Sequence, residues 1–187
     1  MKILVIGGGS GIGREVIDYF APDSFNASRS NGFNITIPED RIEIAEKSLS
    51  MDAVLNHAYT GDMSQYYMLK ALYDVWSKAN HKGYLFHTGT YSTYSMQWNI
   101  NSPYPDIKGA SDELARKISK RCENNKVPFR CTNIRPGMLD TEKSRQKPHW
   151  KGNGIRALEF CKLIEFLYNL PEDVCVPHIV LAGKNDD

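Results

Sequence analysis

Residues 5–16 read VIGGGSGIGREV, and five of these twelve residues are glycine. Four apolar residues, Ile3–Ile6, precede the loop, and Ile12, Val16, Ile17 and Phe20 follow it at helical spacing. Glycine accepts positive φ in a tight turn and puts no side chain between backbone N–H groups and a ligand. A helix opening on such a turn adds the partial positive charge of its N-terminus. Gly7, Gly11 and Gly13 therefore have the chemistry of a phosphate or pyrophosphate cradle. The alternative is a turn that only joins a strand to a helix. A nucleotide-hydrolysing P-loop is excluded, because Arg14-Glu15 follows Gly13 where lysine and a hydroxyl residue would be needed.

Regular elements must hold that loop. Ile3–Ile6 reads as a strand, and residues 11–20 as a helix stopped by Ala21-Pro22-Asp23. Short strands are expected at Ser24–Ala27 and at 33–35, then a helix from Pro38 to Lys47. A strand at 52–56, a helix at 62–80 and a strand at Tyr84–Thr88 follow. A loop rich in Ser, Asn and Pro leads to a helix at 105–123 and a strand at 129–133. A helix at 154–167 and a strand at 177–181 precede the polar tail 184–187. This alternation predicts an α/β protein: a doubly wound parallel sheet of about seven strands in three α/β/α layers, a Rossmann fold. Residues 1–187 are expected to form one domain, since 41% hydrophobic residues suffice for one sizeable core. Ligands of such sheets sit beyond the carboxyl ends of the strands, where the glycine loop lies.

A net charge of +1 supplies no global field toward nucleic acid or anionic lipid. The densest basic stretch, Arg116, Lys117, Lys120 and Arg121, is flanked by Asp112, Glu113 and Glu123, as on a solvated helix face. The apolar run after Met1-Lys2 is too short for a signal-peptide core or a membrane span. Cys122, Cys131, Cys161 and Cys175 make no CxxC pair and read as reduced thiols. The five histidines show no metal-ligand spacing, so no metal is expected. The expectation is a cytoplasmic protein without a nucleic-acid or membrane partner.

Several stretches, in order, resemble the short-chain dehydrogenase/reductase family over nearly the whole chain. Residues 7–13, GGGSGIG, are similar to that family's TGxxxGIG loop, with Ile6 in place of Thr. Asn56-His57-Ala58-Tyr59 resembles its Asn-Asn-Ala-Gly, with Tyr59 where a glycine stands and a ring that would crowd a cofactor. Residues 85–90, LFHTGT, align Thr90 with the family's catalytic serine, and Ser92 is the alternative hydroxyl. Tyr104 and Lys108 resemble its YxxxK at the start of a helix; Tyr66 and Lys70 share the spacing and read as an ordinary helix pair. Pro136-Gly137 and Thr141 resemble its Pro-Gly…Thr segment, and Asn34-Ile35 its Asp-Val pair near the adenine ring.

The resemblance implies an oxidoreductase that moves hydride between a nicotinamide cofactor and a carbonyl or alcohol. Thr90, Tyr104 and Lys108 would be the catalytic group: Tyr104 the acid/base, Thr90 a partner of the carbonyl, Lys108 also a ligand of the nicotinamide ribose. A phenol of pKa about 10 is slow at neutral pH. A cation about 4 Å from the phenolate is worth on the order of 4 kcal/mol at an effective dielectric of about 20, roughly three pK units at most. Lys108, one helical turn on, is therefore expected to lower the pKa of Tyr104. The implied cofactor contacts are Gly7, Gly9, Ser10, Gly11, Ile12, Gly13, Ser28, Arg29, Asn34, Ile35, Asn56, Ala58, Tyr104, Lys108, Pro136 and Gly137. The strand 24–27 runs into Ser28-Arg29-Ser30 with no acid to take an adenosine 2′-hydroxyl. Arg29 and Ser28 suit a 2′-phosphate, so NADP (NADPH) is expected over NAD.

Family members are longer, and the shortfall lies mainly between Asn56 and Tyr84. No Asn occurs from 60 to 79 to serve as the family's catalytic Asn; Ser64 or Gln65 would hold water instead. The short segment 142–153 implies an open site or one completed by another subunit. The helix at 62–80 has two apolar stripes, Met68, Leu72, Val75, Ala79 and Leu69, Tyr73, Trp76. The family uses that helix in an interface, so a homodimer or homotetramer is expected unless both stripes pack inside one subunit. Residues 91–94, 96–98 and 138–150 would line a small-molecule pocket with aromatic or apolar groups. A non-catalytic nucleotide-binding sensor or regulatory module is the alternative function.

Overall fold

The computed structural model describes residues 1–95, 101–147, 150 and 152–183. The strands are β1 (Ile3–Ile6), β2 (Ser24–Ala27), β3 (Ala53–Asn56), β4 (Tyr84–Thr88), β5 (Arg130–Pro136), β6 (Leu139–Asp140), β7 (Ile155–Arg156) and β8 (His178–Leu181). Six of them form one sheet in the order β2-β1-β3-β4-β5-β8, with every neighbouring pair parallel. β6 and β7 make a separate two-stranded ladder. The helices are α1 (Gly11–Tyr19), α2 (Pro38–Lys47), α3 (Ser64–Lys78), α4 (Ser92–Ser95), α5 (Tyr104–Glu123), α6 (Glu142–Arg145) and α7 (Ala157–Tyr168).

Alternation along the strands builds the three layers. Leu4 and Ile6 of β1 face the core shared with α2, α3 and α5, which holds Ile44, Met68, Leu72, Trp76 and Ile118. Ile3 and Val5 face the core shared with α1 and α7, which holds Ile12, Val16, Phe160 and Ile164. Strands covered on both faces read as continuous apolar runs, which is why β1 and β3 were legible. The winding reverses between β1 and β3, so a crevice opens at their carboxyl ends.

The strand expected at 33–35 is not formed. The Asn34 N–H donates to Asp40 Oδ2 at 2.6 Å, and Asn34 Oδ1 accepts from the Thr36 N–H at 3.2 Å. An asparagine that closes its own turn leaves no groups for a ladder. β2 therefore ends the sheet. The helix expected from 154 is preceded by β7, whose Ile155 N–H donates to Met138 O, and begins at Ala157.

Most of both apolar stripes packs inside the subunit, with Val75 and Tyr73 partly buried and Ala79, just past α3, exposed. Met68, Leu69, Leu72 and Trp76 are fully buried, and the Trp76 indole donates to Ser48 Oγ at 2.7 Å. Tyr73 packs against Phe129 at 6.2 Å between ring centroids. Each large side chain buried this way contributes about 1.5–3 kcal/mol without any second subunit. On α5, Arg116 and Lys117 pair with Glu113, and Lys120 with Glu123, on the solvated surface. Cys131 and Cys161 are buried thiols pushed up to about 12 by desolvation. No helix among the described residues is long and apolar enough to cross a membrane.

Candidate active site

A cleft of about 660 Å³ lies at the carboxyl ends of β1, β3 and β4. That volume suits a cofactor or a drug-sized ligand. Gly7, at φ +95°, begins the loop that floors one end, and a Cβ there would come within 2.8 Å of the Ala58 backbone. Gly9, Ser10, Gly11 and Ile12 line the cleft. The Ser10 side chain makes no capping bond, which leaves the first-turn N–H groups of α1 available to a ligand. Gly13 does not line the cleft. A Cβ on it would sit 2.2 Å from Gly7 O, so this glycine lets the helix close onto the loop.

At the end of β2, Ser28 and Ser30 face the loop, their hydroxyls 3.3 and 3.5 Å from where a Gly9 Cβ would stand. The two hydroxyls are 2.8 Å apart, and each also reaches Asn31 Oδ1. Arg29, Asn34 and Ile35 line this end. Among the described residues, the charged lining consists of Arg29, Lys108, Lys143 and Lys147 against the carboxylate of Glu142. Such a lining favours an anionic ligand.

Tyr104 opens α5 at the other end, and the Thr90 side chain lies near enough to its hydroxyl to favour the phenolate. Thr90 lines the cleft; Ser92 does not, and its N–H donates to Thr90 Oγ1 at 3.4 Å. Burial, seconded by the Asp112 carboxylate, raises the Tyr104 pKa above the ordinary value of 10, and the nearby Thr90 side chain only opposes this. The expected lowering by Lys108 is thus not realised. The Lys108 ammonium points elsewhere, donating to Gln65 Oε1 and to Thr88 O, both at 2.7 Å. Lys108 is 3% exposed, and burial pulls its pKa down to about 8 against the raising effect of Asp112. The Tyr59 ring stands edge-on to Tyr104 at 5.0 Å and lies 5.5 Å from Lys108 Nζ, inside the cleft as its bulk suggested.

Behind these groups lies a buried polar layer. Gln65 Nε2 donates to Asn56 O at 3.1 Å and to Thr88 O at 3.2 Å. Asn56 Nδ2 donates to Gln65 O and to His87 Nδ1. Asn56 is thereby a strut between β3, α3 and β4 and, contrary to expectation, does not line the cleft. His87 is held neutral, far below its ordinary pKa, by burial and then by the Lys108 and Arg135 charges. Its Nε2 lies 4.0 Å from Asp112 Oδ1. Asp112 in turn accepts from Thr93 Oγ1 and faces Arg135 Nε at 3.2 Å, fixing α5 against α4 and β5.

Apart from Gly13 and Asn56, all the residues expected at the site line this one cleft, Ala58, Pro136 and Gly137 among them. Residues 91–94 do not: Thr93 turns to Asp112, and Tyr94 is 58% exposed. The expected lining at 96–98, parts of the 142–153 segment and the tail 184–187 lie outside the described residues. Sequence reasoning missed Ser30, Phe33 and Thr88, which also line the cleft, and it expected an aromatic or apolar lining from 138–150 where Lys143 and Lys147 stand. It left Gln65 as one of two water-holding candidates rather than as the partner of Lys108. The signal for that charge was present, since 143–147 carries two lysines with little acid to pair.

No protein-family model matches the chain, and no curated protein matches it in sequence. Solved structures do match in shape. An alcohol dehydrogenase from the archaeon Thermococcus sibiricus, complexed with 5-hydroxy-NADP, is 21% identical with a TM-score of 0.74, over 100% of this chain and 98% of that one. A 3-ketoacyl-(acyl-carrier-protein) reductase from Brucella melitensis, complexed with NADH, is 12% identical with a TM-score of 0.77, over 99% and 98%. A short-chain type dehydrogenase/reductase from Mycobacterium ulcerans is 15% identical with a TM-score of 0.74, over 96% and 86%. The chain has the Rossmann-like fold of these proteins.

Proposed function

We propose that this protein is an NADP-dependent oxidoreductase of the short-chain dehydrogenase/reductase type that reduces a carbonyl compound, with Tyr104 as the proton donor. The observation that carries the reading is that the Tyr104–Thr90 hydroxyl pair and the glycine loop share one cleft. The residues present fit the cofactor. The glycine loop and the α1 N-terminus suit a pyrophosphate, and the hydroxyls of Ser28 and Ser30 with Arg29 suit a 2′-phosphate. The cofactor, when bound, would supply the hydride.

The side chains do the rest. Thr90 and Tyr104 place two hydroxyls together, where a carbonyl oxygen would accept from both. Tyr104 gives its proton to that oxygen as negative charge develops there, and the Thr90 hydroxyl then donates to the phenolate left behind. A phenol whose pKa is raised by burial is protonated at neutral pH, the form that can donate. Lys108 sits behind the pair, its ammonium held by Gln65 and Thr88.

One observation favours a second reading, a nucleotide-binding module without turnover: Tyr59 stands in the cleft beside Tyr104 and Lys108. Tyr104→Phe separates the two. For a reductase it lowers kcat by about 100-fold or more while the NADPH Kd by calorimetry stays within about twofold. A panel of aldehydes and ketones giving no Tyr104-dependent NADPH oxidation defeats the reductase reading. Failure to bind either reduced pyridine nucleotide defeats both.

A further inference from the structure

We propose that Gln65 is the positioning residue of Lys108: its side chain grips the ammonium, anchors it to the ends of β3 and β4, and sets how firmly it holds its proton. The proposal rests on the reductase reading for its importance, but not for its geometry. Gln65 is fully buried on the first turn of α3, and both ends of its amide are used. Oε1 accepts from Lys108 Nζ at 2.7 Å, while Nε2 donates to Asn56 O in β3 and Thr88 O in β4. Those two donated bonds fix which way the amide faces. Oxygen must point at Lys108, because nitrogen is needed at two carbonyls. The ammonium then meets two neutral acceptors, Oε1 and Thr88 O.

The titratable groups facing Lys108 are few. Asp112 on its own helix favours the charged ammonium. His57 after β3 and His87 in β4 both feel its charge, and Tyr59 presents its ring face 5.5 Å away. None of these four accepts from Nζ, whereas Gln65 does. A hydrogen bond to the charged form favours that form, so the Gln65 oxygen keeps a desolvated lysine protonated. A carboxylate in its place would do so more strongly, and an apolar side chain not at all.

The test follows the Lys108 Cε resonance of the full chain through a pH titration, assigned by its loss in Lys108→Met. Gln65→Glu is expected to move the midpoint up by about one unit or more, and Gln65→Met to move it down by about one unit. A merely structural role would alter melting temperature without shifting the midpoint in opposite directions. Midpoints unchanged in both variants overturn the proposal. If either variant fails to fold, the unsubstituted protein still decides: its Lys108 ammonium protons should exchange with water far more slowly than those of surface lysines, and equal rates overturn the proposal. Turnover is scored separately on the same samples. A protein without Tyr104-dependent NADPH oxidation, but with opposed midpoint shifts, loses the reductase reading and keeps the Gln65–Lys108 grip.

Discussion

Lys108→Met should leave the fold no weaker at pH 7 and reverse that standing in alkali. The folded environment lowers the lysine from 10.5 to about 8. At about 1.4 kcal/mol per unit, keeping that ammonium charged inside the protein costs about 3 kcal/mol at pH 7. Methionine removes the cost but strands Gln65 Oε1, a loss of about 1–3 kcal/mol for one buried acceptor. Thr88 O keeps its bond from Gln65 Nε2. The variant is thus expected to equal the parent at pH 7 or exceed it by up to about 2 kcal/mol. The pH dependence is the sharper signature. Between about 8 and 10.5 the unfolded chain holds a proton on Lys108 that the folded chain has released. Parent stability therefore climbs relative to K108M through that window, by about 3 kcal/mol in all. His57 and His87 titrate well below it and leave the difference untouched. Urea unfolding followed by tryptophan fluorescence measures it, since Trp76 is fully buried. A stability difference that stays flat within about 0.5 kcal/mol from pH 7 to 10.5 refutes the buried, charged lysine.

Other outcomes follow from the same layer and from the cleft. Asp112→Ala leaves Arg135 without its counter-charge and should cost about 2–4 kcal/mol, discounted because Arg135 is partly exposed; calorimetric melting unchanged from the parent rules the pairing out. Burial holds His57 at about 4 and His87 well below its ordinary value. Both are depressed in the folded state, so the stability they contribute above pH 6.5 drains away as pH falls toward 4. Urea midpoints that do not decline between pH 7 and 4.5 contradict this. Arg29→Ala should weaken NADPH by about tenfold and NADH hardly at all, through loss of one charge-assisted contact. Equal losses for the two nucleotides, read by calorimetry, argue against a 2′-phosphate site at Ser28–Ser30.

Local signals made much of the fold legible. Buried parallel strands such as Ala53–Asn56 and Tyr84–Thr88 are apolar runs that periodicity finds, and the glycine loop announces the crevice. Asn34 misled the reading because a strand pattern of three residues is weaker than one side chain that can close a turn. β6 and β7 escaped notice because a two-residue ladder has no periodicity of its own. In the site, spacing put Tyr104 and Lys108 on one helix face, yet gave no account of where each head group turns. Lys108 turns to Gln65, a residue 43 positions earlier, and only packing reveals such a partner. Gly13 and Asn56 were singled out for contact with a ligand, but they serve the scaffold behind it, a distinction no spacing encodes.

The loss of a strand at 33–35 has its own consequence for how these molecules meet each other in solution. β2 becomes a free margin whose outward N–H and C=O groups have no ladder partner among the described residues. Such margins invite accretion of foreign strands and the growth of filaments. Here the invitation is brief: β2 is four residues long, and its Ser24 and Asn26 side chains are tied back to Ile17 O and Asn31 Oδ1. A margin that short offers an incoming chain few bonds, so lengthening β2 would be expected to open this side of the sheet to edgewise stacking.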